Sequence, residues 1–252
     1  MLTFRFAAWT KGGDFLSENK NLKIAICSHV FRDIDFSVYF NHMWCISSWV
    51  KKYDVVFCGK RGLDAATARN QLVERAVEHN CTHMFFMDGD HLFPPETLPL
   101  LLESKDEAMV SGLVCKRGEG YQQVGFQKSE NGSYQSVDLP LDGKVYQVRV
   151  CAFGCTLINM KYLLKLEPPY FRDNCIKTSN GDLYNFRSDV NLCEAFHEIK
   201  ERCWIDTRIL IGHHGYDSVI YPQQAKDRVA CDGLLKSSLV LKKEEEGFYY
   251  EP

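Results

Sequence analysis

An apolar run, His83-Met84-Phe85-Phe86-Met87, ends on the triplet Asp88-Gly89-Asp90, and no other stretch limits the fold of this chain as strongly. A run this apolar is a strand buried on both faces, which is how strands of α/β sheets with helices on either side read. Side chains alternate along a strand, so Asp88 and Asp90 project to the same side. They stand at the strand's carboxyl end, where open α/β sheets take their ligands. Two hard oxygen donors there suit Mg²⁺ or Mn²⁺ carrying a diphosphate. Asp-Gly-Asp is also good turn chemistry, so the triplet alone leaves a plain turn open.

The flanking sequence repeats the strand-helix alternation. Leu22 to Cys27 reads as a strand, and Phe36 to Val50 as a helix, from the helical spacing of the apolar residues Phe36, Phe40, Met43, Ile46 and Val50. Tyr53 to Cys58 is the next strand, with Asp54 in a structural role. Asp64 caps a helix from Ala65 to about His79. After the Asp88 strand, Pro94-Pro95 opens a short helix that Pro99 kinks, and Ala108 to Cys115 is a strand. This order argues a parallel, doubly wound sheet.

The second half differs. Gly118 to Asp142, rich in Gly, Gln, Ser and Asn, is a loop or hairpin excursion, followed by strands at Val145–Arg149 and Phe153–Ile158. Ser188 to Arg202 is a helix with Ser188 as its N-cap, and Trp204 to Ile211 is a last strand running into Gly212-His213-His214-Gly215. Trp44, Trp49 and Trp204 are assigned to the core.

Composition excludes several classes. A net charge of -3 gives no nucleic-acid footprint. No apolar run approaches the roughly 20 residues that span a bilayer. Met1 to Thr10 lacks the apolar core and cleavage site of a secretory signal. The chain's 11 cysteines contain no C-x-x-C pair, so they read as reduced, buried thiols rather than a zinc site. The expected setting is cytoplasmic, the host cytoplasm if the source is viral.

Taken in order, Ala68-Arg69-Asn70, Phe85 to Asp90, Phe93-Pro94-Pro95, Val110 to Leu113, Ala152 to Ile158, Ser188 to Cys193 and Gly212 to Gly215 form a series. Together they resemble the GT-A-fold glycosyltransferases, most closely the family-2-like enzymes with small viral and bacterial members. The resemblance covers about residues 20–215. It implies a Rossmann-like, mixed but mainly parallel central sheet flanked by helices, in one domain over 1–235. Residues 20–117 would be the nucleotide-sugar half, 118–235 the acceptor and catalytic half, and 236–252 a tail.

The resemblance also implies roles. Asp90 is the direct ligand of Mn²⁺ or Mg²⁺, with Asp88 nearer the ribose or a metal-bound water. His213 completes the coordination, with His214 the alternative. Asp189 is the general base of an inverting transfer, although the family often has Glu-Asp where this chain has Ser188-Asp189. Arg69 lies near the donor's nucleotide or phosphates, Ser28 and His29 near its base and ribose. Arg117, with Lys116 and Tyr121, begins a loop that closes over the phosphates or is a plain hairpin. The partners implied are a nucleoside-diphosphate sugar and a hydroxyl acceptor on a glycan. A binding protein without turnover stays open, as does a nucleotidyltransferase. The latter is disfavoured because Cys27 to Arg32 has no glycine.

Overall fold

The computed structural model describes residues 3–5, 22–117, 122–130, 132–177, 183–215, 219–223, 240–244 and 247–251. The elements in chain order are β1 (Thr3–Arg5), β2 (Lys23–Val30), α1 (Phe36–Trp49), β3 (Asp54–Arg61), α2 (Ala65–Glu78), β4 (His83–Asp88), β5 (His91–Leu92), α3 (Thr97–Leu102) and β6 (Met109–Leu113). Then come β7 (Gly125–Lys128), β8 (Tyr134–Ser136), β9 (Val145–Val148), β10 (Val150–Cys151), β11 (Cys155–Asn159), α4 (Met160–Leu163), β12 (Asn174–Lys177) and β13 (Leu183–Phe186). The chain closes with α5 (Ser188–Glu198), β14 (Cys203–Leu210), β15 (Gly212–His214), β16 (Val219–Ile220), β17 (Val240–Glu244) and β18 (Gly247–Glu251).

The main sheet has the order β1-β3-β2-β4-β11-β6-β14-β9-β17-β18. Strands β3, β2 and β4 are parallel neighbours, as are β6 and β14. Strand β11 inserts antiparallel between β4 and β6, and β9 lies antiparallel on β14. The sheet is therefore mixed, with most central strands pointing one way and their carboxyl ends on one edge. Strands β4 and β6, consecutive in the β-α alternation apart from the short β5, are thus separated by β11. Cys155 to Asn159 is buried on both faces, which is what a central strand covered on both sides requires.

Alternation along β2 sorts the core into two layers. Ala25 and Cys27 join Leu72, Val73 and Ala76 of α2 and Leu192 and Phe196 of α5. Ile24 and Ile26 face the other way, onto Cys45, Ile46 and Trp49 of α1 and Leu98 and Leu101 of α3. Nine cysteines among the described residues, from Cys27 to Cys203, are free and buried. Trp49 and Trp204 are core residues, as expected.

Local chemistry explains the helix starts. Asp64 accepts the Thr67 N–H at 2.9 Å and caps α2. Asp35 does the same for α1 through Ser37 N–H at 2.8 Å. Helix α3 begins at Thr97 rather than Pro95, so Pro99 falls in its first turn, where a missing N–H leaves no hydrogen bond broken. Ser188 is the first residue of α5, not its cap; its N–H donates to Asp173 Oδ1 at 2.7 Å, so the cap comes from outside the helix.

The largest difference from the periodicity concerns α1. Its buried face is Val38, His42, Cys45, Ile46 and Trp49. Phe36, Phe40, Met43 and Trp44 are exposed, so Trp44 is not a core residue. The inward face is held by polar atoms: His42 Nε2 meets the His91 carbonyl at 2.9 Å, and Asn41 exchanges hydrogen bonds with both backbone groups of Phe93.

Candidate metal centre and adjoining cleft

The site forms where β4 leaves the sheet. Register sets His29 of β2 beside Asp88, so the ends of two parallel strands meet there. Gly89 follows; a Cβ on it would sit 3.0 Å from Val30 Cγ2, which leaves little room for any larger residue. The chain then turns into β5, which pairs antiparallel with β15 and puts His91 opposite His213. Residues opposite one another in an antiparallel pair share a face. Their rings accordingly stack, with centroids 4.4 Å apart.

Asp90 lies between the two imidazoles. Its Oδ1 is 3.2 Å from His91 Nδ1 and its Oδ2 is 3.4 Å from His213 Nε2. The three donor atoms of Asp90, His91 and His213 all lie within 4.8 Å of one another. Burial alone raises the Asp90 carboxyl, but the flanking imidazoles outweigh it and hold the group well below the usual carboxylate range.

The histidine tautomer is decided by one contact. His213 Nδ1 is 2.7 Å from the Cys115 carbonyl. A carbonyl only accepts, so Nδ1 carries a proton, and Nε2 faces Asp90. Two acceptors at that distance require a proton or a cation between them. His91 makes the same demand, because its Nδ1 faces only Asp90 and its Nε2 is buried without a hydrogen-bond partner. Its ring fills the space above Gly154, where a Cβ would stand 2.2 Å from His91 Cε1. The residues present fit a divalent ion held by one carboxylate and two imidazoles whose second nitrogen or backbone is fixed by the fold.

Strand β4 ends at Asp88, so the alternation expected to set Asp88 and Asp90 side by side does not reach Asp90. Asp88 meets Arg69 instead of the group of His91 and His213, its Oδ2 lying 3.7 Å from Arg69 Nη2. Arg69 is buried, its guanidinium over the rings of Phe153 and Phe171 at 5.1 and 5.9 Å. Asn70 pins Phe171 by accepting its N–H and donating to its carbonyl. Arg69 Nη1 also lies 3.3 Å from Ser188 Oγ, and its charge acts on the neighbouring Asp189. Burial raises the Asp189 carboxyl above its ordinary value, and Arg69 offsets part of that rise. Arg69 thus joins the β4 terminus to the first turn of α5 from underneath.

The remaining predicted residues fall around this pair. Arg117 Nη2 is 3.1 Å from Asp90 Oδ2, beside the metal group. Tyr121 lies outside the described residues. His214 turns away; its N–H donates to the Asp90 carbonyl at 2.7 Å, and Nε2 is 3.7 Å from Asp35 Oδ1. His29 Nε2 bonds the Leu63 carbonyl at 2.8 Å and so braces the loop after β3. Ser28 lines a cleft of about 750 Å³ at the ends of β2 and β3, walled by Val30, Phe57 and Leu63 and edged by the cations Arg32, Lys60 and Arg61. The histidine missed in the sequence is His91, whose place depends on the register of β5 on β15 rather than on any local signal.

The backbone is similar to that of a solved protein. The crystal structure of A197 from STIV superposes with a TM-score of 0.54 at 13% sequence identity, covering 80% of this chain and 91% of that chain. At that identity the likeness concerns fold alone. No family model matches the chain, and no curated protein matches it. No helix among the described residues is long and apolar enough to cross a membrane.

Proposed function

We propose that the chain is a metal-dependent, inverting glycosyltransferase that moves a sugar from a nucleoside diphosphate to an acceptor hydroxyl, on a glycan or similar molecule. The observation that carries this reading is the meeting of Asp90, His91 and His213 at the carboxyl end of a parallel strand, next to a cation-edged cleft. Asp90, His91 and His213 would hold the ion, and imidazole donors favour Mn²⁺ over Mg²⁺. A divalent ion bound there supplies Lewis-acid stabilisation of the charge on a departing nucleoside diphosphate.

The protein's own residues account for the rest. Ser28 and the apolar walls of the cleft receive the nucleoside, while Arg32 and Lys60 draw its phosphates toward the strand ends. Arg117, already at Asp90, is placed to contact a diphosphate bound there. Asp88 is held in place by Arg69 and stays near the ribose. Asp189 takes the proton of the attacking hydroxyl, and its raised affinity for protons suits a base. One base with no covalent intermediate inverts the anomeric centre. On this reading residues 20–117 bind the donor and residues 118–235 the acceptor.

The test is calorimetric titration of a nucleoside diphosphate panel, with Mn²⁺ and with chelator, on the wild type and on Asp90→Ala. Metal-dependent binding of one nucleotide, lost in the variant, supports the reading and names the donor's base. Failure of every nucleotide to bind under either condition refutes it.

A further inference from the structure

Helix α1 carries two apolar stripes on opposite sides. The inner one packs on the sheet. The outer one is Phe36, Tyr39, Phe40, Met43 and Trp44, spaced as a single helical face and extended by Phe31 just upstream. Phe36 is 78% exposed, Trp44 63% and Phe40 60%. The rings of Phe36 and Phe40 stack on each other at 6.3 Å rather than on the body of the protein. Scattered exposed apolar residues are ordinary, but a contiguous stripe of aromatics marks a surface that binds something.

Charge selects the partner. Between Phe36 and Trp49 the helix has no acidic residue. Lys51 and Lys52 follow its carboxyl end, both exposed. Arg32 stands at the other end, exposed, with its guanidinium 5.8 Å over the Phe31 ring. Of the nearby acids, Asp33 pairs with Arg61 at 2.9 Å, Asp35 caps α1 and faces His214, and Glu96 acts on Cys45 of the inner face. The stripe is thus an aromatic band bracketed by cations.

We infer that this stripe is a docking surface for an anionic phospholipid bilayer, with α1 lying in the plane of the interface. Trp and Tyr sit well where one end of the ring is apolar and the other wet, and Lys and Arg pair with the headgroups. At 14 residues the helix is too short to span a bilayer, which fits a helix lying flat. A second copy of the chain is a poorer occupant. Both ends of the stripe are cationic, so a facing copy would bring Arg32, Lys51 and Lys52 against like charges.

The placement has a consequence for the site. The inner face of α1 holds the segment from His91 to Pro95 through His42, Asn41 and the Trp49 indole N–H. A docked α1 therefore sets the metal group about one helix diameter from the lipid, about 10–12 Å. Resting on the glycosyltransferase reading, this points to an acceptor hydroxyl carried by a lipid.

The experiment is flotation of the full chain with vesicles of phosphatidylcholine alone and with phosphatidylglycerol added, at low and high salt, with Trp fluorescence read in parallel. The wild type is expected to float with the anionic vesicles, less as salt rises, with a blue shift that Trp44→Ala removes. Lys51→Ala/Lys52→Ala should weaken that binding about thirtyfold. Phe40→Asp/Trp44→Asp should abolish it while keeping the wild-type Mn²⁺ titration, which controls for folding. Absence of binding to either vesicle, or binding unchanged in these variants, overturns the inference. So does a concentration-dependent dimer that Phe40→Asp/Trp44→Asp dissociates, since it gives the stripe to a second copy. Vesicle binding is read without turnover or nucleotide, so its failure leaves the proposed function standing, and the converse holds.

Discussion

Gly154→Ala would perturb the metal centre without touching a ligand. Gly154 is not in the left-handed region, so its backbone accepts an alanine. The obstacle is the His91 ring, whose Cε1 and Nδ1 would lie 2.2 and 2.6 Å from the new Cβ. Ordinary carbon contacts begin near about 3.5 Å, so the ring must withdraw by more than about 1 Å. Its retreat is obstructed, because His213 stacks on it at 4.4 Å and Phe93 lies tilted against it at 6.3 Å. Overpacking of this kind costs about 1–3 kcal/mol, and in a chain of this size that lowers the melting temperature by between about 2 and 12 °C. Displacing one donor of the group should weaken Mn²⁺ binding by about 10–100-fold.

The assay is a double-mutant cycle read by thermal melting and by Mn²⁺ calorimetry. His91→Ala loses the ligand and opens space. Gly154→Ala in the His91→Ala background then meets no ring. The double variant should melt above the sum of the single effects, with a coupling of about 1–3 kcal/mol, and bind Mn²⁺ no worse than His91→Ala alone. Additive melting temperatures, or wild-type Mn²⁺ affinity in Gly154→Ala, would refute the placement of His91 as a ligand cradled by that glycine.

Further outcomes follow from the same contacts. Saturating Mn²⁺ should raise the melting temperature of the wild type, by about 2.7 kcal/mol of stability at a hundredfold excess over Kd, and should leave Asp90→Ala unchanged. Asp189→Asn should keep metal-dependent nucleotide binding and lose turnover by at least about a hundredfold; retained turnover would remove Asp189 from the base role. Glu194 accepts from Arg149, Tyr134 and Lys128, tying α5 to the β7-β8 hairpin and β9. Although burial pushes the Glu194 carboxyl up, these partners bring it down to about 2 from 4.5. A depressed folded value means its stabilisation is complete above about 4.5 and is lost as pH falls toward about 2. Urea midpoints should therefore drop less steeply across that window in Glu194→Gln than in the wild type, from a starting point lower by about 1–3 kcal/mol.

What the sequence revealed and what it hid divide along physical lines. Runs such as Lys23–Val30 and His83–Asp88 are apolar on both faces, and only a sheet covered on both sides buries them, so the layered α/β fold was legible from them. Asp64 could be read as a cap because capping is local chemistry. Strand β11 could not be placed between β4 and β6, since insertion depends on pairing partners far apart in the chain. The joining of Asp90 to His213 was legible only through family resemblance, and His91 not at all. Its role comes from the antiparallel register of β5 on β15 and from the hollow over Gly154, neither of which leaves a mark at residue 91 itself. Helix α1 shows the limit most clearly. By the rule that hydrophobic residues face the core, the stripe with the larger aromatics would be the inner one. The fold chose the stripe whose polar atoms, in Asn41, His42 and Trp49, meet the backbone of 91–95. Burying Phe36, Phe40 and Trp44 instead would have left those carbonyls without partners beneath the sheet's ligand edge, and an unpaired buried carbonyl costs about 1–3 kcal/mol. The satisfied polar contacts therefore decide the helix's rotation, and the aromatics left outside become available to bind.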